Sequence, residues 1–416
     1  MTDEPNKRWR LLQGLLVVAL PLNLAVGALR HLPQQRAEER QVRKINHVID
    51  YVRTVYVEDD PEVIGYQNLV QNALNGMLQR LDGHSRYLPP ADTKTLDEIN
   101  RGEYTGIGVS IGKGERDILV RQVQPDGPAD HAGLRDSDRI VSIAGRDTSE
   151  MDMEEAVKLI KGERGTDVTV RVYRPTDKSE YELTIQRARV KYPTVRRAHM
   201  VSPGIAYVHV LQFNEKTCDD LIAHLRQLRP QMRGLILDLR ENGGGLFGAA
   251  VTVSSLFLPP GLTVVSTVPR RPENRDVFPA TARPPKLLRL PLVILVNHRS
   301  ASAAEIVAGC MRDHARATLI GVRTYGKGSV QHVLPLPEDN SSIHLTTRYY
   351  YTPNDECIHG RGIEPHIKVE VPHAERKQLQ QQLWRFTTDR RENDVDDPQL
   401  ERAVEHLRQA LDRETP

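Results

Sequence analysis

The chain has 416 residues, room for two or three domains, and a formal net charge of +2. So small a charge excludes a global field for nucleic acid or an acidic partner. Hydrophobic residues make up 39% and aromatics 5%, so the core is aliphatic, as in α/β material. The cysteines, Cys218, Cys310 and Cys357, form no C-x-x-C and cannot all pair with one another. We expect no zinc site, no other metal and no cofactor.

In chain order, Lys7, Arg8 and Arg10 precede the uncharged run "LLQGLLVVALPLNLAVGAL" (Leu11–Leu29). A membrane span needs about 20 apolar residues and a secretory core about 7–15. The run therefore predicts export, either by a retained anchor with a cytoplasmic amino end or by a signal cleaved after Val26-Gly27-Ala28. Localisation is expected to be membrane-anchored, or periplasmic or otherwise extracytoplasmic after cleavage. From Glu38 to Asp82, Val42, Ile45, Val48, Ile49 and Val52, then Leu69, Ala73, Leu74, Met77 and Leu78, recur at helical spacing. "LDGHSRYL" closes these helices with turn residues.

From Glu103 the texture changes to glycines and short apolar runs, "YTGIGVSIG" first. A helix over Met153–Lys161 and the strands "DVTVRVYR" and "SEYELTIQRA" complete a small mixed domain. The basic segment Arg187–Arg197 reads as a linker. Next come strand "GIAYVHV", helix "EKTCDDLIAHLRQL" and strand Arg233–Arg240, followed by "ENGGG" and a helix from Phe247. The Pro-rich stretch after Phe257 reads as a hairpin. Strand Leu290–Asn297, a helix from Ser302 and strand Ala317–Val322 then form a βαβ unit with parallel strands. The tail after Val371 is charged and partly helical.

"NHRSASAAEIVAGC" places Ser300 and Ser302 between a buried strand and a helix. Such a serine is either a helix cap or a nucleophile. Carboxyl ends of parallel strands carry the chemistry of open α/β sheets, and free amides at a helix start favour developing negative charge. None of the 15 histidines stands in a telling context, and there is no G-x-S-x-G. "RTYGKGSVQ", however, follows the neighbouring strand. Parallel neighbours lie about 4.8 Å apart, so Ser302 and Lys327 enter one cleft. On sequence alone a solvated loop lysine is the commoner case for such a residue. A base must be neutral. Lowering a lysine from ~10.4 to ~7 costs about 4–5 kcal/mol, which burial can impose.

The segment "NHRSASAAEIVAGCMRDHARATLIGVRTYGKGSVQ" closely resembles the active-site segment of the C-terminal processing (tail-specific) peptidases, serine peptidases with a Ser/Lys dyad and an embedded PDZ domain. "LDGHSRYL", "YTGIGVSIG", "LILDLRENGGGLFGAA" and "YYTPNDECIHGRGIEPHI" resemble further family segments in the same order, so the likeness covers most of the chain. It implies Ser302 as nucleophile, Lys327 as base and Gln331 as the residue orienting the lysine. It also implies an oxyanion hole from Ala303 and Gly245, with Gly244 next. Ala304 stands where many members have a third serine, and "ENGGG" stands for the frequent Asn-Pro-Gly-Gly.

A PDZ domain adds a peptide C-terminus as a strand and holds its carboxylate with backbone amides. Ile107, Gly108 and Val109 would supply these, with Val157 or Ile160 near the last side chain. The implied fold is multidomain α/β. It comprises an anchor or signal (1–35), an N-terminal helical region (36–102), a PDZ-like β/α domain (103–187), a crotonase-like α/β serine peptidase domain with βαβ units (188–372) and a helical tail (373–416). The implied function is an exported endopeptidase that cuts near protein C-termini. Expected partners are protein or peptide substrates with apolar tails, further copies of the chain in a homo-oligomer, an adaptor protein and the membrane, with no nucleic acid. A dead scaffold acting as a PDZ adaptor would lack Ser302 or Lys327, and both are present. A trypsin-like PDZ protease would place its PDZ domain last, whereas here it precedes the catalytic region.

Overall fold

The computed structural model describes residues 37–114, 117–282, 287–385 and 394–413. The Leu11–Leu29 run lies outside them. Among the described residues no helix is long and apolar enough to cross a membrane. Contacts divide the chain into two units, one ending at Tyr87 and one starting at Leu88.

The first unit is helical. A helix over 37–55 leaves Val42, Ile45, Val48 and Val55 exposed. Helix Pro61–Ile64 starts on the Asp60 side chain, which accepts the Glu62 N–H at 2.9 Å, and helix Tyr66–Gln79 follows. Asp82 organises the turn in "LDGHSRYL". Its carboxylate accepts the His84 N–H at 2.6 Å, the Ser85 N–H at 2.7 Å and the Ser85 hydroxyl at 2.9 Å.

The second unit opens with helix Pro90–Arg101, which ends at Gly102 in the left-handed region (φ 77°). A short antiparallel pair, Glu103–Gly106 with Ala188–Lys191, then forms a stem. The PDZ-like domain stands on it. Its antiparallel strands run Val109–Lys113, Ile118–Val123, Arg139–Ile143, Asp167–Arg174 and Ser179–Gln186 in spatial order, with Val109–Lys113 at the edge. Ile118, Val120, Ile140, Val170 and Val172 face a core closed by helix Met153–Ile160. The basic segment read as a linker is ordered instead. Arg187 binds the last carbonyls of that helix, Ile160 at 3.0 Å and Leu159 at 2.7 Å. The alternating residues after it form the second stem strand, and Val195–Ser202 forms a strand of the next sheet.

That sheet has six strands in the order Val195–Ser202, Ile205–Val210, Gly234–Asp238, Leu292–Val296, Thr318–Gly321 and Ile367–Lys368. The first pair is antiparallel and the others parallel. The three strands from Ile205 to Val296 are buried throughout, as their continuous apolar runs require. Helices Thr217–Leu228, Phe247–Ser254 and Ala303–Asp313 cover one face. The tail covers the other, where Ala403, Leu407 and Leu411 of helix Pro398–Arg413 pack on Tyr207, Ile236 and Leu295. The Pro-rich stretch is a hairpin, Thr263–Pro269 with Asp276–Pro279. It belongs to a second, antiparallel sheet with Ser342–Tyr351 and Ser329–Pro335.

Candidate active site

Strands Leu292–Val296 and Thr318–Gly321 are parallel neighbours, with Val296 opposite Gly321. Their carboxyl ends lead to the two serines and to Lys327. Ser300 is fully buried. Its hydroxyl donates to the Leu239 carbonyl at 2.7 Å and accepts the Asn297 N–H at 2.9 Å. It is a structural residue of the turn. Ser302 is half-buried at the start of helix Ala303–Asp313. An ordinary N-cap has extended backbone. Ser302 instead has φ 56° and ψ −115°, a region that costs a residue with a side chain about 1–3 kcal/mol and persists only where the surroundings enforce it.

Glu305 is one enforcing group, fully buried on the first turn of that helix. One carboxylate oxygen accepts the Ser302 N–H at 2.9 Å and the Lys327 N–H at 2.8 Å. The other accepts the Gly326 N–H at 2.7 Å and the Thr324 hydroxyl at 2.5 Å. Burial pushes the Glu305 carboxyl above its ordinary value, and these four donors pull against that. Tyr350 is the second. Its buried hydroxyl meets the Ser302 carbonyl at 3.1 Å and the Lys327 carbonyl more closely. Lys327 itself is half-buried, and both of its glycine neighbours need their missing side chains. A Cβ on Gly326 would lie 2.8 Å from the Gly362 nitrogen, and one on Gly328 would lie 2.6 Å from the His359 nitrogen. Gln331, on the following strand, donates its amide to the Ser329 hydroxyl at 2.9 Å and the Thr346 hydroxyl at 3.0 Å.

The glycine turn meets the serine from the other side. A Cβ on Gly244 would lie 2.7 Å from Ser302 Cβ and 3.0 Å from the Ala303 nitrogen. The Gly244 N–H is engaged by the Asn242 side chain at 2.9 Å. Gly245, at φ 136°, pairs with Phe213: the Phe213 N–H reaches the Gly244 carbonyl at 2.9 Å and the Leu246 N–H the Phe213 carbonyl at 2.7 Å. This bridge leaves the Gly245 N–H out of its bonding. Ala303, the first residue of its helix, carries an N–H with no intrahelical acceptor. Of the two glycines, Gly244 has its N–H engaged by a side chain, whereas the bridge does not use that of Gly245.

The segment around Phe213 also touches the end of helix Pro90–Arg101, just before the stem. The Glu215 N–H donates to the Asn100 carbonyl at 3.0 Å, and a Cβ on Gly102 would lie 2.8 Å from the Asn214 side chain. In the PDZ-like loop Ile107 is buried and Gly108 has φ 79°. Tyr104 of the stem lines one cavity with Gly108 and Val109, and burial pushes its phenol above the ordinary tyrosine value. Val157 is exposed on its helix, whereas Ile160 is buried in the domain core.

Three features escaped the sequence reading. Glu305 was signalled, because Ser302-x-x-Glu305 is a capping-box pattern. Tyr350 carried no signal beyond its place in "YYTP". The third is a buried cluster under the glycine turn. Arg240 binds Asp238 at 2.6 Å, Asp397 at 2.8 Å and Gln399 at 3.0 Å, which ties the tail to the sheet. Burial opposes the Asp238 charge, yet Arg240 beside it holds the carboxyl below its ordinary value.

Comparison with known proteins agrees with this architecture. Residues 204–369 match peptidase family S41 and residues 119–174 match the PDZ domain. The carboxy-terminal-processing protease of Bartonella bacilliformis is 37% identical over 345 residues, covering 81% of this chain and 77% of the relative. The carboxy-terminal processing protease CtpA of Bacillus subtilis is 32% identical, covering 86% and 75%. A solved Bacteroides fragilis structure assigned to the S41 proteases shares the fold, with a TM-score of 0.51 at 18% identity, covering 80% of this chain and 88% of that one. The chain is therefore a serine-type peptidase with a PDZ domain, and it belongs to the carboxy-terminal processing proteases of family S41.

Proposed function

We propose that this peptidase cuts protein chains near their C-termini through an acyl-enzyme, with Ser302 as nucleophile and Lys327 as general base. One observation carries the reading: a single buried carboxylate oxygen of Glu305 holds the backbone N–H of both residues. Lys327 in its neutral form takes the Ser302 proton as the hydroxyl attacks the scissile carbonyl, then returns it to the leaving amine. Water repeats the sequence on the ester. The amides of Ala303 and Gly245 receive the oxyanion. Gln331 steadies the start of the strand that follows Lys327. The PDZ-like domain holds the substrate tail on its edge strand, with the carboxylate at Ile107, Gly108 and Val109. Export by the Leu11–Leu29 segment, self-association and an adaptor partner belong to the same reading.

The test uses the full chain and an unfolded protein with an apolar tail. Ser302→Ala, Lys327→Ala and Lys327→Arg each abolish cleavage, the last because a guanidinium stays charged. The wild-type rate rises with pH as the lysine loses its proton. Substantial cleavage by either alanine variant rejects the dyad.

A further inference from the structure

Ser302 and Lys327 come from different parts of the fold. Ser302 starts a helix that packs on the parallel sheet, while Lys327 leads into Ser329–Pro335, a strand of the antiparallel sheet. Their relative position is therefore a matter of how two sheets meet. Glu305 fixes it from the helix by holding the two N–H groups. Tyr350 sits on the opposite side of the junction, on strand Ser342–Tyr351, which pairs with Ser329–Pro335. Its own N–H donates to the Gly328 carbonyl at 2.9 Å, next to Lys327. Its ring is buried in the peptidase core with Ala303, Val307 and Ile363, and its hydroxyl lies between the carbonyls of Ser302 and Lys327. The backbone of each residue is thus held on both sides: the N–H groups by a carboxylate from the helix, the carbonyls by a phenol from the second sheet.

We propose that Tyr350 is a positioning residue for catalysis, its hydroxyl setting the separation of the Ser302 and Lys327 backbones and with it the approach of the serine hydroxyl to the lysine amine. This rests on the dyad reading above. The phenol is a donor in this arrangement and not a second base. Both groups it meets are carbonyl oxygens, which only accept, and burial, with Glu305 adding to it, pushes its ionisation well above the ordinary tyrosine value. A single proton shared between two carbonyls suits a spacer. It favours one distance between them without neutralising either.

A tyrosine that merely filled the core would do so through its ring, and a phenylalanine would replace it. A positioning hydroxyl predicts otherwise. In the full chain, with a short unstructured reporter peptide, Tyr350→Phe lowers kcat about 10–100-fold, the range expected when reacting groups shift by a fraction of an ångström to an ångström. KM stays unchanged, because substrate binding does not use the phenol. A ring-fluorinated tyrosine at 350, which keeps the hydroxyl, retains wild-type kcat. Tyr349→Phe, the exposed neighbour on the same strand, serves as control. Wild-type kcat in Tyr350→Phe, a rise in KM in place of the fall in kcat, or equal loss in the fluorinated protein overturns the proposal. So does a Tyr350→Phe chain that folds at no temperature, which makes Tyr350 a folding residue. Ser302→Ala and Lys327→Ala run in parallel. If Lys327→Ala still cleaves, the dyad reading and this proposal fall together. If both alanine variants are dead and Tyr350→Phe is not impaired, only the proposal falls.

Discussion

Ser302 bears a side chain at φ 56°, ψ −115°, where glycine is the natural occupant. Ser302→Ala removes the proposed nucleophile and leaves that backbone cost in place. Ser302→Gly removes both, offset by about 0.5–1 kcal/mol of extra chain entropy in the unfolded state. We therefore expect the glycine variant to be more stable than the alanine variant by about 1 kcal/mol, read as a higher thermal midpoint of two equally inactive proteins. Equal midpoints would show that the turn relaxes once the hydroxyl is gone. At this scale the sequence was unevenly legible. Ser302 and Lys327 stand in recognisable surroundings, and Glu305 lies three residues from Ser302, at a spacing with a known mechanical meaning. Tyr350 reaches carbonyls 48 and 23 residues away, and no local pattern encodes a contact of that range.

The strands and helices of the peptidase were readable because continuous apolar runs and helical spacing alternate regularly there. The segment after Arg187 was misread. Its positive charge suggested a solvated linker, yet Ala188–Lys191 alternates outward-facing cations with inward Val190, the pattern of a strand exposed on one side. The stem it completes brings Tyr104 into one cavity with Gly108 and Val109 of the PDZ-like loop.

On the scale of the second unit the largely parallel sheet is the organising layer, with helices on both faces. The covering by helix Pro398–Arg413 was legible in principle, since Leu400, Ala403, Val404, Leu407 and Leu411 recur at three- and four-residue spacing. What charge and position suggested was a tail, and only the sheet's second face shows why the helix must pack. The buried Arg240 then joins that helix to the strand carrying the glycine turn through Asp397 and Gln399. Removing one partner of such a cluster leaves a charge without compensation, which is why these residues act as one unit.

The bridge between Phe213 and Gly245 has a consequence for inhibitors. Residues 211–215 touch the end of helix Pro90–Arg101, which leads into the stem, on one side and the glycine turn on the other. If tail binding shifts the stem and the helix end before it, it shifts the amide proposed to receive the oxyanion, and linkage makes the effect mutual. A peptide boronate captured by Ser302 would then act at a distance as an enhancer of tail binding, by the same factor with which the tail enhances boronate binding, about 5–150-fold in coupled systems. Adjacency alone does not establish such coupling. The affinity of a tail peptide measured before and after boronate capture does, and an unchanged value would mean that the bridge transmits nothing.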